Sequence, residues 1–445
     1  MSSKTSENWR RSLGGWMKDA YLIGIGMGSL EGMTVEAENL LRSASFVAGA
    51  SRLLSAVEPI VPFGCPFFDS FDSSSIAEEM EREAFKVASH PFHFCAVFSG
   101  DTGFFSGAGK LASLLEKSGW HVTFVPGLSS AQVLASRLRL DWRNWTLVSA
   151  HGVECDISAE ISHGETVFFL TGGKTSAKTI ADFVLENSVP CRFVAADRLC
   201  YGDEAVVDRI LFGDGGEGSF SESEIERICS MRLACVLVDR SVCRTPFSSM
   251  RPAVRDDAFV RGSRGVSGAV VPMTKRIVRA SVLSILEVSD GETVWDVGCG
   301  TGAVSVDIAL SAKCRVFAVE ENRWAFELER ENRARFCAWN VELHLGKAPD
   351  ALVSLPPPDA VFVGGSGGRL AEILFVVFRK NPRARVLVPS VTVETFSQCV
   401  EISERLGLSV EATEIAVTSS FPAGKSHLMR AENPVTLFLM RKAPS

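Results

Sequence analysis

The sequence has no apolar run near the ~18 residues that cross a bilayer as a helix, and its most apolar stretches, around residues 166–170 and 370–378, are short enough to read as core elements. A membrane span is therefore not expected, and the chain reads as soluble. A secretory leader is not expected either. Residues 1–19 carry Lys4, Arg10, Arg11 and Lys18 without a continuous apolar segment, so they read as a frayed extension, with an organelle transit peptide as the lesser alternative. The 12 cysteines never form C-x-x-C, and 445 residues far exceed a small disulfide scaffold, so reduced thiols in a cytoplasmic protein are expected. No metal-ligand cluster is evident. Excess positive charge is also lacking: 46 Lys plus Arg face 53 Asp plus Glu, a formal net charge of −7, which removes bulk attraction to nucleic acid but permits local basic patches. Short repeats and low-complexity tracts are absent. What remains, 46% hydrophobic and 22% charged residues, is an ordinary globular profile and excludes wholesale disorder.

The length calls for two domains, since one domain usually takes ~100–200 residues. A composition shift at residues 251–271, RPAVRDDAFVRGSRGVSGAVV, is rich in Arg, Gly and Ser and reads as the linker. It separates an extension (1–19) and a first module (20–250) from a second module (272–445). In the first module, strands are expected at 20–25, 92–98, 121–125, 145–149, 166–170, 192–196 and 234–238, with helices near 34–42 and 107–117, enough for two α/β lobes. The second alternates more cleanly, with strands at 293–297, 315–319, 341–345, 360–363 and 385–388 and helices at 303–310, 324–336, 370–379 and 394–406. Two further strands, 409–417 and 435–440, are expected to form an antiparallel edge joined by a long loop containing FPAGKSHLMRAEN. Repeated β-α units imply a parallel, doubly wound sheet.

The motif WDVGCGTG (residues 295–302) is an apolar strand that delivers Asp296 into Gly298, Cys299, Gly300, Thr301 and Gly302. Glycine there permits positive φ and close ligand approach, and Glu320, at the end of the next strand, stands where a Rossmann-like sheet sets a carboxylate against ribose hydroxyls. The spacing is G-x-G-x-G, unlike the pyrophosphate fingerprint G-x-G-x-x-G. A carboxylate before the loop disfavours phosphate and suits the amino group or sulfonium of S-adenosylmethionine; a dinucleotide site and a purely structural turn are the alternatives.

Several segments in one order carry more weight than the loop alone. PMTKRIVRA (272–280), WDVGCGTGAVSVDIA, AVEEN (318–322), GKAPDAL (346–352), PDAVFVGGSGG (358–368), VTVET (391–395) and HLMRAENPV (427–435) together resemble the methyltransferase and decarboxylase modules of cobalamin biosynthesis. The resemblance implies a Rossmann-like, S-adenosylmethionine-dependent fold with cofactor contacts at Thr274, Gly298 through Gly302, Glu320 and Ala348. Lys347 occupies a place where such enzymes often carry an acid.

In the first module YLIGIGMGSLEGMTVEA (21–37) holds a glycine turn after a strand, which alone divides evenly between a structural turn and a ligand site. With FSGDTGFFSGAGKL (98–111), VPGLSSAQVLASRL (125–138) and LVSAHG (147–152) it resembles the tetrapyrrole methylases, and ADRLCYGDEAV (196–206) points to those acting at C5 of precorrin-6Y. The resemblance implies a two-lobed fold with S-adenosylmethionine between the lobes and contacts at Gly24, Gly26, Asp101, Gly103, Ser129 and Ser130, hence one cofactor site per module. Met27 and Thr102 stand where the family commonly has proline, and Val153 where it often has Arg. His151 could be a base but is more commonly a hydrogen-bonded structural residue at a strand end.

The two resemblances together imply methylation of precorrin-6B, or its cobalt form, at C5 and C15 with decarboxylation of the ring C acetate at C12. Such a substrate carries many carboxylates, which Arg and Lys would hold. Candidates are Lys275, Arg276, Arg279, Arg369, Lys425 and Arg430, with His427 and Glu394 as acid or base for decarboxylation; each also has an ordinary reading as a surface charge, a helix-start carboxylate or a loop histidine. Methyl transfer needs no metal. The resemblance further implies self-association. A nucleic-acid methyltransferase would show a basic surface or N-P-P-Y, and NPV at 433–435 lacks the aromatic. A module that only holds the tetrapyrrole is the non-enzymatic alternative.

Overall fold

The computed structural model describes residues 18–86, 92–153, 155–213, 218–242, 252–262 and 270–442. Residues 1–17 of the expected N-terminal extension and residues 263–269 of the expected linker lie outside them, while Lys18 and Asp19, read as extension, begin the first strand. No helix among the described residues is long and apolar enough to cross a membrane.

The first lobe runs β1 (Lys18–Gly24), α1 (Val35–Arg42), β2 (Phe46–Gly49), α2 (Ser51–Val57), β3 (Phe67–Asp69), α3 (Ser73–Lys86), β4 (Phe94–Phe98), α4 (Ala108–Lys117), β5 (Trp120–Val125) and α5 (Ser130–Leu138). Its five strands pair in parallel in the order β3-β2-β4-β1-β5. Ala20 and Leu22 enter one apolar cluster and Ile23 the other, so β1 is buried on both faces and reads as a continuous apolar run. The second lobe runs β6 (Thr146–Ser149), α6 (Ile157–His163), β7 (Thr166–Leu170), α7 (Ala177–Glu186), β8 (Cys191–Asp197), β9 (Ala205–Leu211), α8 (Glu222–Ser230) and β10 (Ala234–Asp239), with sheet order β6-β7-β10-β8-β9. Only β6 and β7 pair in parallel in it. Helix α5 buries Ala131, Leu134 and Ala135 against Phe168, Val194 and Leu237, which gives the two lobes a shared core.

The second module runs α9 (Arg276–Leu286), β11 (Thr293–Val297), α10 (Ala303–Ser311), β12 (Arg315–Glu320), α11 (Arg323–Arg335), β13 (Val341–Leu345), β14 (Ala360–Val363), α12 (Leu370–Lys380), β15 (Arg385–Ser390), α13 (Val393–Leu406), β16 (Leu408–Ile415), β17 (Thr418–Ala423), β18 (Ser426–Ala431) and β19 (Val435–Lys442). The seven-stranded order β13-β12-β11-β14-β15-β19-β16 is parallel through β15, and β19 runs antiparallel to both its neighbours. The long loop expected between the last two strands is instead the hairpin β17–β18, which pairs with itself apart from the main sheet and turns at Gly424 (φ +64°).

Two features were not expected. Within the stretch read as linker, Val254 and Phe259 enter the core of the second module, and Val260 exchanges backbone bonds of 2.8 and 2.9 Å with the Asn332 side chain. The modules also touch: Cys337 and Trp339 complete the apolar core of the second lobe, flanked by Lys313–Glu160 (2.8 Å) and Arg333 to Asn187 (2.7 Å). This contact lies before the first residues of β7, β12 and β13, at the sheet ends opposite the glycine loops.

Candidate functional site

The carboxyl ends of β11, β12 and β14 and the segment 270–274 enclose a cavity of about 470 Å³. Its walls include Thr274, Gly298, Cys299, Gly300, Thr301 and Glu320, with Trp324 at the start of α11. Gly298 takes φ +69°, and a Cβ there would lie 2.7 Å from the backbone of Gly365, so only glycine lets these two loops meet. Glu320 is 8% exposed; one oxygen accepts from the Gly300 amide (2.9 Å) and the other from Asn322 (2.8 Å). A carboxylate has about four acceptor positions, so it fixes the loop and still has lone pairs for hydroxyls. The Thr301 hydroxyl is buried and meets no hydrogen-bond partner among the described residues.

Asp296 does not line this cavity. It is fully buried behind the loop, where its Oδ2 accepts from Ser305 Oγ (2.6 Å) and its Oδ1 has no partner among the described residues. Burial pushes its carboxyl up to about 7, with the hydrogen bonds of Ser305 opposing and the charge of Glu320 adding to the push. The expected direct attraction to a ligand is therefore replaced by support from beneath. Gly302 caps the start of α10 at φ +75° with Glu329 against it, and Ala348 packs into the apolar cluster on the other side of the sheet rather than into the cavity.

The cations expected to hold substrate separate into distinct groups. Arg279 is corrected outright. It is 1% exposed and donates four bonds, with Nε to Asp307 (2.6 Å), Nη1 to Asp256 (2.8 Å) and to the Thr274 carbonyl (2.5 Å), Nη2 to the Val254 carbonyl, and its plane over Phe259. It clamps residues 254–256 and Thr274 onto the module instead of meeting a ligand. Arg369 is also committed, bonded to Glu372 (2.7 Å) and Asp350 (2.9 Å) beside a second depression of about 410 Å³ that shares no lining residue with the first. Lys275 stands exposed next to Thr274, while the exposed Arg276 donates to the Ala253 carbonyl (2.8 Å). Lys425, His427 and Arg430 belong to the exposed hairpin, with Arg430 4.3 Å over the Phe421 ring. Glu394 is exposed in the first turn of α13, and no hydrogen bond joins it to His427 among the described residues.

In the first module the glycine loops close on one another. Gly26 and Gly100 exchange backbone bonds of 3.1 and 2.7 Å, and a Cβ on Gly24 would lie 2.7 Å from the Gly100 oxygen and 2.9 Å from the Gly127 nitrogen. Asp101 ties the junction, accepting from the Gly103 amide (2.8 Å) and the Gly127 amide (3.0 Å). Ser129, expected to touch cofactor, is buried and committed as the cap of α5: its Oγ accepts from the Gln132 amide while Gln132 Oε1 accepts from the Ser129 amide. Ser130 is the first, half-buried residue of that helix. At the proline positions, Met27 packs against the shared lobe core and buried Thr102 donates to the Val125 carbonyl (3.5 Å), so packing and a hydrogen bond stand in for the ring. His151 lies with its ring against Gly172 and Nδ1 3.3 Å from the Thr171 carbonyl, a structural placement.

Several residues escaped the sequence reading. Gly100 and Gly127 complete the N-terminal junction, and Tyr201 sits over Gly28 bonded to Arg52, with Arg198 5.0 Å from its ring. Glu329 and Asn332 are fully buried in the mostly polar helix α11. A signal existed for these two: Ala325, Leu328, Glu329 and Asn332 recur at helical spacing, which places both polar residues on the inward face.

Residues 270–442 match the family described as "Precorrin methyltransferase domain", and residues 20–211 match "Tetrapyrrole (Corrin/Porphyrin) Methylases". A probable cobalt-precorrin-6B C(15)-methyltransferase (decarboxylating) from Pyrobaculum calidifontis is 38% identical over 187 residues, 41% of this chain and 93% of that protein. The precorrin-6Y C(5,15)-methyltransferase (decarboxylating) of Sinorhizobium sp. is 27% identical over 402 residues, 89% of this chain and 90% of its own. A crystal structure of precorrin-6Y C5,15-methyltransferase from Geobacter metallireducens GS-15 covers 43% of this chain and 97% of its own at 34% identity, with a TM-score of 0.39.

Proposed function

The chain belongs to the decarboxylating precorrin methyltransferases of cobalamin biosynthesis, and on that premise we propose that it carries two S-adenosylmethionine sites, one in each module, and uses them in turn on one corrin precursor. The substrate is precorrin-6B or its cobalt form. The first module methylates C5; the second methylates C15 and releases the C12 acetate as carbon dioxide. The observation that carries the C-terminal assignment is the cavity at the carboxyl ends of the parallel strands, bounded by the glycine loop and Glu320.

The residues present fit an adenosyl donor. The cavity falls within the ~300–1,000 Å³ of small-molecule sites, and it offers a carboxylate with spare acceptor positions. S-adenosylmethionine supplies a methyl group already activated by its sulfonium. The protein's part is to hold, orient and dehydrate. Glu320 accepts ribose hydroxyls, residues 298–301 shape the wall, and Thr274 bounds the cavity from the segment that Arg279 clamps. Lys275, exposed beside Thr274, is the cation assigned to a substrate carboxylate.

In the first module the donor is assigned to the glycine junction beside Gly26 and Gly103, which Asp101 and the close approach of Gly24, Gly100 and Gly127 fix. Calorimetric titration of the full chain with S-adenosylhomocysteine tests the reading. Two binding events are expected, and Glu320→Ala removes one while sparing the other. A single event in the wild type, or two unaffected events in the variant, overturns it.

A further inference from the structure

Beneath the C-terminal glycine loop lies a cluster of acids that methyl transfer does not use. Glu329, on α11, is fully buried. Its Oε2 is 2.7 Å from Cys299 Sγ and its Oε1 is 3.1 Å from Ser305 Oγ. The same Ser305 oxygen is 2.6 Å from Asp296 Oδ2, and Asp296 is itself fully buried. Gly302 lies against the Glu329 side chain, where a Cβ would come 2.5 Å from its Cγ. Glu329 therefore touches the loop at Cys299 and Gly302 and touches the strand beneath it through Ser305.

Counting protons decides the state of this cluster. Ser305 has one hydroxyl proton and stands between two carboxyl groups, so it can donate to only one of them. If both acids were ionised, one oxygen pair would face lone pair against lone pair, with two charges buried and no cation bonded to either among the described residues. A single added proton resolves it, and the shorter Ser305 contact, 2.6 Å to Asp296 against 3.1 Å to Glu329, is the charge-assisted one, which leaves the proton on Glu329. The Cys299 thiol donates to one Glu329 oxygen, the Glu329 hydroxyl donates to Ser305, and Ser305 donates to Asp296.

We propose that Glu329 is a positioning residue for the C-terminal donor site, held as the neutral acid at the centre of the chain Cys299–Glu329–Ser305–Asp296, and that its ionisation releases the glycine loop. For its effect on donor affinity, the proposal rests on the site assignment above; the protonation itself does not.

The surroundings agree. Burial pushes Glu329 up to about 8, with the charges of Asp296 and Glu320 adding to the push and the bonds from Cys299 and Ser305 opposing it. Burial also drives the Cys299 thiol well up, which keeps it a donor. The groups facing Glu329 are Cys299 of the loop, Asp296 of β11, Ser305 of α10 and Glu320 of β12. Arg333, one turn along α11, bonds Asn187 (2.7 Å) and the Trp339 carbonyl (3.2 Å).

The sign follows from the raised value. In the unfolded chain Glu329 ionises near its ordinary 4.5, whereas the folded chain keeps the proton until about 8. Folding stability tied to this group is whole below 4.5, falls as pH rises between these values, and levels off above the folded one. Glutamine carries the same pattern of donor and acceptor without a proton to lose.

The experiment uses the full chain as wild type, Glu329→Gln and Glu329→Ala. In calorimetric titration with S-adenosylhomocysteine, wild-type affinity at the C-terminal site is expected to fall at least fivefold from pH 7 to pH 9. Glu329→Gln should follow the wild type at pH 7 and lose the alkaline decline, while Glu329→Ala binds weakly throughout. A Gln variant as weak as the Ala variant at pH 7 would mean that the negative charge is what acts, and would overturn the proposal. Thermal unfolding without ligand reads protonation independently. The midpoint of Glu329→Gln should rise above that of the wild type by a margin that opens with increasing pH and plateaus above pH 8; a margin independent of pH overturns the neutral-acid assignment even if donor binding itself fails.

Discussion

The two glycine junctions close by different means. In the first module, backbone meets backbone: Gly26 and Gly100 bond each other, and the Cβ positions of Gly24 and Gly127 are filled by neighbouring main chain. In the second, the close backbone approach of Gly298 to Gly365 is backed by buried polar side chains. Arg279 clamps Asp307, Asp256 and Thr274, Asn332 holds Val260 and the Thr301 carbonyl, and the Glu329–Ser305–Asp296 chain lies beneath the loop. Where main chain meets main chain, little added volume is tolerated. The buried side-chain contacts of the second module add a vulnerability wherever a partner is removed.

The largest effect should come from Arg279→Ala. It strands Asp307, whose carboxyl burial pushes up against the opposing pull of Arg279, and removing one partner of a buried pair costs ~3–5 kcal/mol. Denaturant unfolding should show the second module destabilised and the first unchanged. An unchanged second module would break the contrast. Next comes Gly24→Ala, where main chain must shift; overpacking of this kind costs ~1–3 kcal/mol. The loss should appear in the first module at every pH from 6 to 9, and a pH-dependent loss would contradict the backbone reading. Ser129→Ala removes the cap of α5 for ~1 kcal/mol and should lower the first module's stability by that amount, with Ser129→Asn restoring it. Smallest is Arg430→Ala on the exposed hairpin, within about 0.5 kcal/mol on stability.

The fold was largely legible because strands buried on both faces read as apolar runs: β7, β11 and β14 fall where those runs lie. The hairpin β17–β18 was hidden because Pro422 and Gly424 carry loop signals and because it packs on no core, which leaves it without the alternation of a half-buried strand. For the site, the glycine loop and Glu320 were visible because their spacing is local. Arg279 was misread for the opposite reason. Its charge is plain in PMTKRIVRA, but its partners Asp256 and Asp307 lie 23 positions before it and 28 after it, and only their meeting turns a candidate ligand into a clamp. Ser129 was expected to touch cofactor, yet its hydroxyl caps its own helix.

The two-site assignment is tested most directly by mass spectrometry of the product formed from precorrin-6B and methyl-labelled S-adenosylmethionine by the wild type and by Glu320→Ala. The wild type should add two labelled methyl groups and lose one carbon dioxide. The variant, with its C-terminal site disabled and its N-terminal site intact, should add one methyl group and keep the carboxylate. A variant product that still carries both methyl groups and lacks the carboxylate would contradict the assignment of C15 methylation and decarboxylation to the cavity that Glu320 bounds.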